Sequence, residues 1–263
     1  MIRSLLLRYG GNEYDRAALE SAKELAKAFD LRIIGVSVLD ESSLGDNPQA
    51  VQTLEETKRE ALMGLEKQCD EWGISCKTSL LVGDLSEEIC IEGEKADLIV
   101  LGAPPLEEVE ESGQNDARAE AARKVVKTAK KPVLVVRPGH ERFRRILMGC
   151  DGSSRCGHAL AVAAHIAEKF GAEMLLLNVS SDPVEGGPIL SGAKAYLENY
   201  KVKSTSMLIE GDPAEEILEV ARVRECDLIA IGATGHGTIK DLLFGSTAGT
   251  LVDNTPSSML VYW

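Results

Sequence analysis

The amino-acid sequence predicts an α/β protein: two tandem open five-stranded parallel-sheet domains with helices on both faces. Three observations carry that reading. The sequence is written twice, since Gly83-Asp84, Glu87-Glu88-Ile89 and Ala96-Asp97-Leu98-Ile99 recur as Gly211-Asp212, Glu215-Glu216-Ile217 and Cys226-Asp227-Leu228-Ile229, and the starts and apolar ends of the copies match too. A repeat of this kind means one architecture used twice. Each copy alternates short apolar runs with segments of helical period, the strand–helix–strand order of a parallel sheet. The runs Leu175-Leu176-Leu177 and Leu228-Ile229-Ala230-Ile231 are continuously apolar instead of alternating, as strands covered on both faces must be.

In the first copy the apolar runs predict strands near 2–7, 32–38, 77–82, 97–102 and 132–136, with a long second helix over about 48–70. The copies divide near Pro138 to Glu141, giving domains 1–138 and 142–263. The second copy repeats the scheme with strands at 145–150, 173–179, 203–209, 227–232 and 258–262. Between its first two strands, Cys156, Leu160, Ala163, Ala167 and Phe170 recur at spacings of three and four, one face of a helix. Its second helix, near 187–200, is much shorter than its counterpart.

Composition narrows the function classes. Acidic residues outnumber basic ones 42 to 29, a formal charge of -13 over 263 residues, whereas a nucleic-acid binder carries a basic face. No apolar run reaches the 18 residues of a membrane span, and the opening MIRSLLLRYGG is too short for a signal-peptide core. The six cysteines form no C-x-x-C pair and read as cytosolic thiols. A soluble cytoplasmic protein is the expectation.

In an open parallel sheet, ligands bind beyond the carboxyl ends of the strands where the strand order reverses. That rule directs attention to Cys150-Asp151-Gly152, to Asn178-Val179, and to the loop after Ile231, GATGHGTIKDLLFGSTAGTLVDN. Gly232, Gly235 and Gly237 let backbone approach a ligand closely. Gly245-Ser246 then opens a helix carrying Ala248, Leu251 and Val252, and the free N–H groups of such a first turn suit phosphate. No Walker A string exists in the chain, and Lys240 stands where the dinucleotide fingerprint needs glycine.

What the loop does match is G-x2-G-x9-G-[ST], through Gly232, Gly235, Gly245 and Ser246, and this pattern resembles the nucleotide-binding signature of the universal stress protein family. The resemblance covers nearly all of both halves and takes in Asp151, Asn178-Val179 and the Gly211-Asp212-Pro213 turn. It implies a five-stranded domain, Rossmann-like and similar to the adenine nucleotide alpha hydrolases, that binds ATP (or AMP or ADP), with or without Mg2+. Asp151 and the Val179 backbone would lie near adenine and ribose; Gly232, Gly235, Gly245, Ser246 and the Thr247 amide would hold the phosphates. Dimerisation through the last strands is implied as well, within the chain or between chains.

The first copy departs from this pattern. Gly10 lies where the second has Asp151, Pro105 replaces Gly235, and Ala121-Ala122 align with Gly245-Ser246. Proline offers no N–H, and Glu107, Glu108, Glu110 and Glu111 crowd the loop that should receive an anion. One competent nucleotide site per chain is therefore expected, in the second copy. His236 has no assignable catalytic partner; His158 and His165 stand two helical turns apart, too far to share a metal; Cys150, Cys156 and His158 match no ligand string. The expected function is a nucleotide-dependent regulatory module in a stress response, with no catalytic residue and no metal site assigned. A slow ATPase or nucleotide hydrolase is the alternative, though no Walker-B-type carboxylate or arginine finger is assignable. A receiver domain would need acidic partners beside Asp151, which the sequence does not supply.

Overall fold

The computed structural model describes residues 2–40, 47–104, 117–180, 182–233 and 246–262. The chain divides into two compact units, Met1–Gly139 and His140–Trp263. The first unit runs β1 (Ser4–Arg8), α1 (Glu13–Phe29), β2 (Arg32–Asp40), α2 (Pro48–Trp72), β3 (Cys76–Gly83), α3 (Leu85–Gly93), β4 (Leu98–Gly102), α4 (Ala117–Thr128) and β5 (Val133–Val136). The second runs β6 (Arg145–Gly149), α5 (Ser154–Phe170), β7 (Glu173–Val179), α6 (Pro183–Leu197), β8 (Ser204–Ile209), α7 (Pro213–Val223), β9 (Leu228–Gly232), α8 (Ser246–Asn254) and β10 (Ser258–Tyr262).

Strand order in the first unit is β3-β2-β1-β4-β5, and in the second β10-β9-β6-β7-β8, with every pair inside a unit parallel. The first strand of each unit thus has the second strand on one side and the fourth on the other. That reversal opens a crevice at the carboxyl ends of β1 and β4, and of β6 and β9. Leu5, Leu6 and Leu7 on β1, and Ile146, Leu147 and Met148 on β6, are wholly buried, because helices cover both faces of a parallel sheet.

The helices start and stop where their caps dictate. Asn12 and Asp15 form a capping box at the head of α1, and Asp30, with φ of 54°, ends it. Ser153 caps α5 by accepting from the Cys156 N–H at 3.1 Å, and Gly171 ends it with φ of 66°. The second helix of unit two begins at Pro183, not near 187 as its Gly-Gly-Pro run suggests. Asp182 caps it, and a proline at the first helical position forfeits no hydrogen bond. Pro188 is then carried inside the helix. Gly186 is there because a Cβ would stand 2.4 Å from Asn178 Oδ1 and 2.5 Å from Leu208 Cδ1.

One carboxylate in each unit clamps the start of the first strand to the start of the fourth, and the two differ electrostatically. Asp97 Oδ2 accepts from the N–H groups of Arg3 at 2.8 Å and Ser4 at 3.1 Å, and from the Ser4 hydroxyl at 3.2 Å. Burial pushes Asp97 up, but these donors outweigh it and leave the carboxyl below its ordinary value. Asp227 accepts only backbone N–H groups, from Arg144 at 2.8 Å and Arg145 at 3.2 Å, so burial prevails and raises it. A depressed folded-state pKa contributes stability above the unfolded value and loses it as pH falls; a raised one does the reverse. Acidification from neutral pH is therefore expected to weaken the Asp97 clamp and strengthen the Asp227 clamp. Urea titrations across pH should show Asp97→Asn flattening the acid loss of stability and Asp227→Asn steepening it.

Candidate functional site

The two crevices share one backbone framework. The Tyr9 N–H donates to the Val36 carbonyl, the Cys150 N–H to the Leu177 carbonyl, both at 2.7 Å; Gly11 and Gly152 follow with φ of 83° and 76°. Asn12 and Ser153 then cap the two helices. On this common frame Gly10 faces the same task as Asp151, Arg8 as Gly149, and Asp15 as Cys156.

In the first unit the frame is filled by its own charges. Asp15, with 0% exposure, pairs with the Arg8 guanidinium and accepts from the N–H groups of Gly10 at 2.8 Å and Asn12 at 3.3 Å. Lys58 of α2 faces the same group; burial first, then repulsion from Arg8, holds it below the usual lysine range, with Asp15 and Asp40 pulling the other way. Next to Arg8, between Leu101, Gly102, Ala121 and Ala122, a cavity of about 10 Å³ remains, the space of one water at most. Arg8 and Asp15 thus fill this rim with an internal ion pair. Pro105 and the acidic residues Glu107 to Glu111, on which the expectation of a degenerate first site rests, lie outside the described residues.

In the second unit Gly149 and Cys156 stand at the equivalent positions, so the Arg8–Asp15 pair has no counterpart at those two positions. Asp151 is half-exposed, and its Oδ1 accepts from the Ser153 N–H at 2.9 Å. The cap of α5 is Ser153, not Asp151. Asn178, 4% exposed, donates from Nδ2 to the Cys150 carbonyl at 2.6 Å, while its Oδ1 has no hydrogen-bond partner among the described residues. Val179 closes β7 half-buried, in register with Ile209 of β8.

Gly232 is pressed onto the head of α5: a Cβ there would stand 2.5 Å from the Cys156 N atom and 2.8 Å from the Arg155 carbonyl carbon. Gly102 meets the head of α1 in the same way, 2.2 Å from the Tyr14 carbonyl oxygen. Since the first unit needs its glycine equally, strand–helix packing explains this member of the motif by itself. Ser246 begins α8, Thr247 is half-buried, and Ala248, Leu251 and Val252 are buried as the helical spacing predicts. Gly235, Gly245 and His236 lie outside the described residues. The structure therefore brings Asp151, Asn178, Val179 and Gly232 to one rim.

His158 stacks on Tyr262, ring centroids 5.0 Å apart, and His165 meets Tyr200 edge-on. Among the described residues no group of three His, Cys, Asp or Glu side chains could hold a metal ion, and no helix is long and apolar enough to cross a membrane. Larger depressions, about 430 Å³ beside Arg145, Glu173 and Ser204 and about 640 Å³ beside Arg3, Arg32 and Ser75, sit at the amino ends of the strands. Ligands of open parallel sheets bind at the other end.

Comparison with known proteins agrees with this architecture. The model of the universal stress protein family matches residues 1–137, 142–196 and 187–262. A universal stress protein of Methanocaldococcus jannaschii is 30% identical over 146 residues, covering 48% of this chain and 86% of the relative. One from Thermus aquaticus is 33% identical over 135 residues, covering 45% and 98%. The crystal structure of a universal stress protein from Archaeoglobus fulgidus superposes with a TM-score of 0.81 at 20% identity, over 98% of this chain and 97% of that one. That likeness is one of fold.

Proposed function

This chain belongs to the universal stress protein family, and on that premise we propose that its second unit binds one adenine nucleotide and acts as a nucleotide-dependent module in a cytoplasmic stress response. The ligand is ATP, or AMP or ADP, with or without Mg2+. Asp151 and the Val179 backbone take the adenosine end. Gly232, Gly235, Gly245, Ser246 and the Thr247 amide take the phosphates, where the first turn of α8 supplies free N–H groups. Pairing of like units, within or between chains, completes the assembly. A partner reads the state of the bound unit, because a ligand shifts a conformational equilibrium only by preferring one state.

One observation carries this reading: the backbone frame that Arg8 and Asp15 plug in the first unit has the uncharged Gly149 and Cys156 at those two positions in the second. Native mass spectrometry of the full chain titrated with ATP is expected to stop at one nucleotide per chain. Asp151→Ala should weaken that binding roughly 10- to 100-fold, the worth of a hydrogen bond to a charged group. Two equivalent sites, or unchanged affinity in Asp151→Ala, would overturn the proposal.

A further inference from the structure

The backbone ladder between β6 and β7 ends one rung short of Val179. Gly149 is in register with Leu177, and the Cys150 N–H donating to the Leu177 carbonyl at 2.7 Å is the last backbone bond between the two strands among the described residues. Continued in the parallel pattern, the next rung would carry the Val179 N–H to the Cys150 carbonyl. A side chain takes that place: Asn178 donates from Nδ2 to the Cys150 carbonyl at 2.6 Å. The acceptor that would draw Val179 in is thus already satisfied.

The amide is set for this one bond. Asn178 is 4% exposed and its Oδ1 has no partner among the described residues, a cost offset at the other end of the same amide. Turning the amide over would bring its oxygen against the Cys150 carbonyl, acceptor on acceptor. Gly186 of α6 leaves the room that Oδ1 takes, since a Cβ there would stand 2.4 Å from it. In the first unit the equivalent residue is Ser37, one step after the Val36 carbonyl that accepts from Tyr9. Ser37 is 1% exposed, and its hydroxyl has no partner among the described residues. The side-chain tie between strand ends therefore belongs to the unit with Gly149 and Cys156 on its rim, and not to the one with Arg8 and Asp15.

We propose that Asn178 is a positioning residue for the adenosine end of the nucleotide: by holding the Cys150 carbonyl it keeps the Val179 N–H open to the crevice and fixes the peptide plane from which Asp151 departs. This rests on the nucleotide reading above and adds to it the reason why Val179 is available as a donor. The Cys150 carbonyl and the Asp151 N–H share one rigid plane, so the Asn178 bond sets the direction of both. Asp151 Oδ1 in turn accepts from the Ser153 N–H at 2.9 Å, which carries the same orientation into the head of α5. An open N–H at the end of β7 suits an accepting ring nitrogen, which adenine presents.

Amide hydrogen exchange of the full chain, read at Val179 by NMR, tests the contact, and calorimetric titration with ATP and with AMP tests its consequence. In the wild type the Val179 amide is expected to exchange freely without nucleotide and to slow at least about tenfold with saturating ATP. Asn178→Leu, which keeps the bulk of the side chain but frees the Cys150 carbonyl, should let the missing rung form and slow Val179 with no nucleotide present. Asn178→Leu and Asn178→Ser, the latter copying Ser37, should each weaken ATP and AMP by the same roughly 3- to 10-fold, the worth of one hydrogen bond. A loss confined to ATP would mark a disturbed phosphate cradle and overturn the role. So would a Val179 amide already protected in the nucleotide-free wild type, a measurement that stands even where a variant folds poorly. A wild type that takes up no ATP sinks the nucleotide reading and this role together, whereas wild-type binding left unchanged in both variants sinks the role alone.

Discussion

Replacing Asp15 with alanine is expected to destabilise the first unit by about 3–5 kcal/mol, the usual penalty for removing one partner of a buried ion pair. The loss is large because both partners are withdrawn from water. Asp15 is fully buried, and the Arg8 side chain is 13% exposed. Truncation strands that guanidinium together with the Gly10 and Asn12 N–H groups and deletes half of the capping box. Lys58 stands close by and adds its own charge to the uncompensated cations. In a Trp263→Phe background, urea unfolding followed by Trp72 fluorescence reads the first unit, since Trp72 closes α2. Asp15→Cys, which copies the residue of the second unit, should lose less than alanine because its sulfur can use the same amides. A loss below about 1 kcal/mol in Asp15→Ala, the scale of an exposed pair, would mean that the pair does not hold the rim.

Gly232→Ala and Gly102→Ala form the second expectation. Each places a Cβ at 2.5 Å or less from backbone atoms of the neighbouring helix head, not from a side chain that could swing aside. Strand and helix must part, at about 1–3 kcal/mol or somewhat more. Calorimetric unfolding should register both substitutions. Their consequences for ligand differ: Gly232→Ala displaces the turn that carries Asp151 and Ser153 and should abolish most ATP binding, while Gly102→Ala should leave it intact. The reverse pattern, seen by titration calorimetry, would assign the nucleotide to the wrong unit.

The strands and most helices were legible because their cause is local. Continuous apolar runs place β6, β7 and β10 within a residue of their positions. The start of α6 was not, because Gly186, Gly187 and Pro188 look like a loop until Asp182 and Pro183 are seen to nucleate the helix ahead of them. Of the candidate site, Asp151, Val179 and Gly232 could be located from the rule of strand order, since the ends of β6, β7 and β9 follow from topology alone. Arg8 reads in sequence only as a charge that interrupts an apolar run, and Asp15 as an ordinary acidic residue in a first helical turn. Their union depends on the bend at Gly10 and Gly11. The Asn12-x-x-Asp15 spacing was the available signal, a capping box, though it announces a helix start and not a plugged crevice.

The strand order also bears on synthesis. β1 pairs with β2 on one side, but its other neighbour is β4, and ninety-odd residues separate Arg8 from Gly102. At ribosomal speeds of about 5–20 residues per second, that flank waits roughly 5–20 s for its partner to leave the exit tunnel. β6 faces a similar delay before β9 arrives. A nascent chain of this design exposes three consecutive leucines beside open amides for many seconds, which makes it a natural client for a holding chaperone during translation.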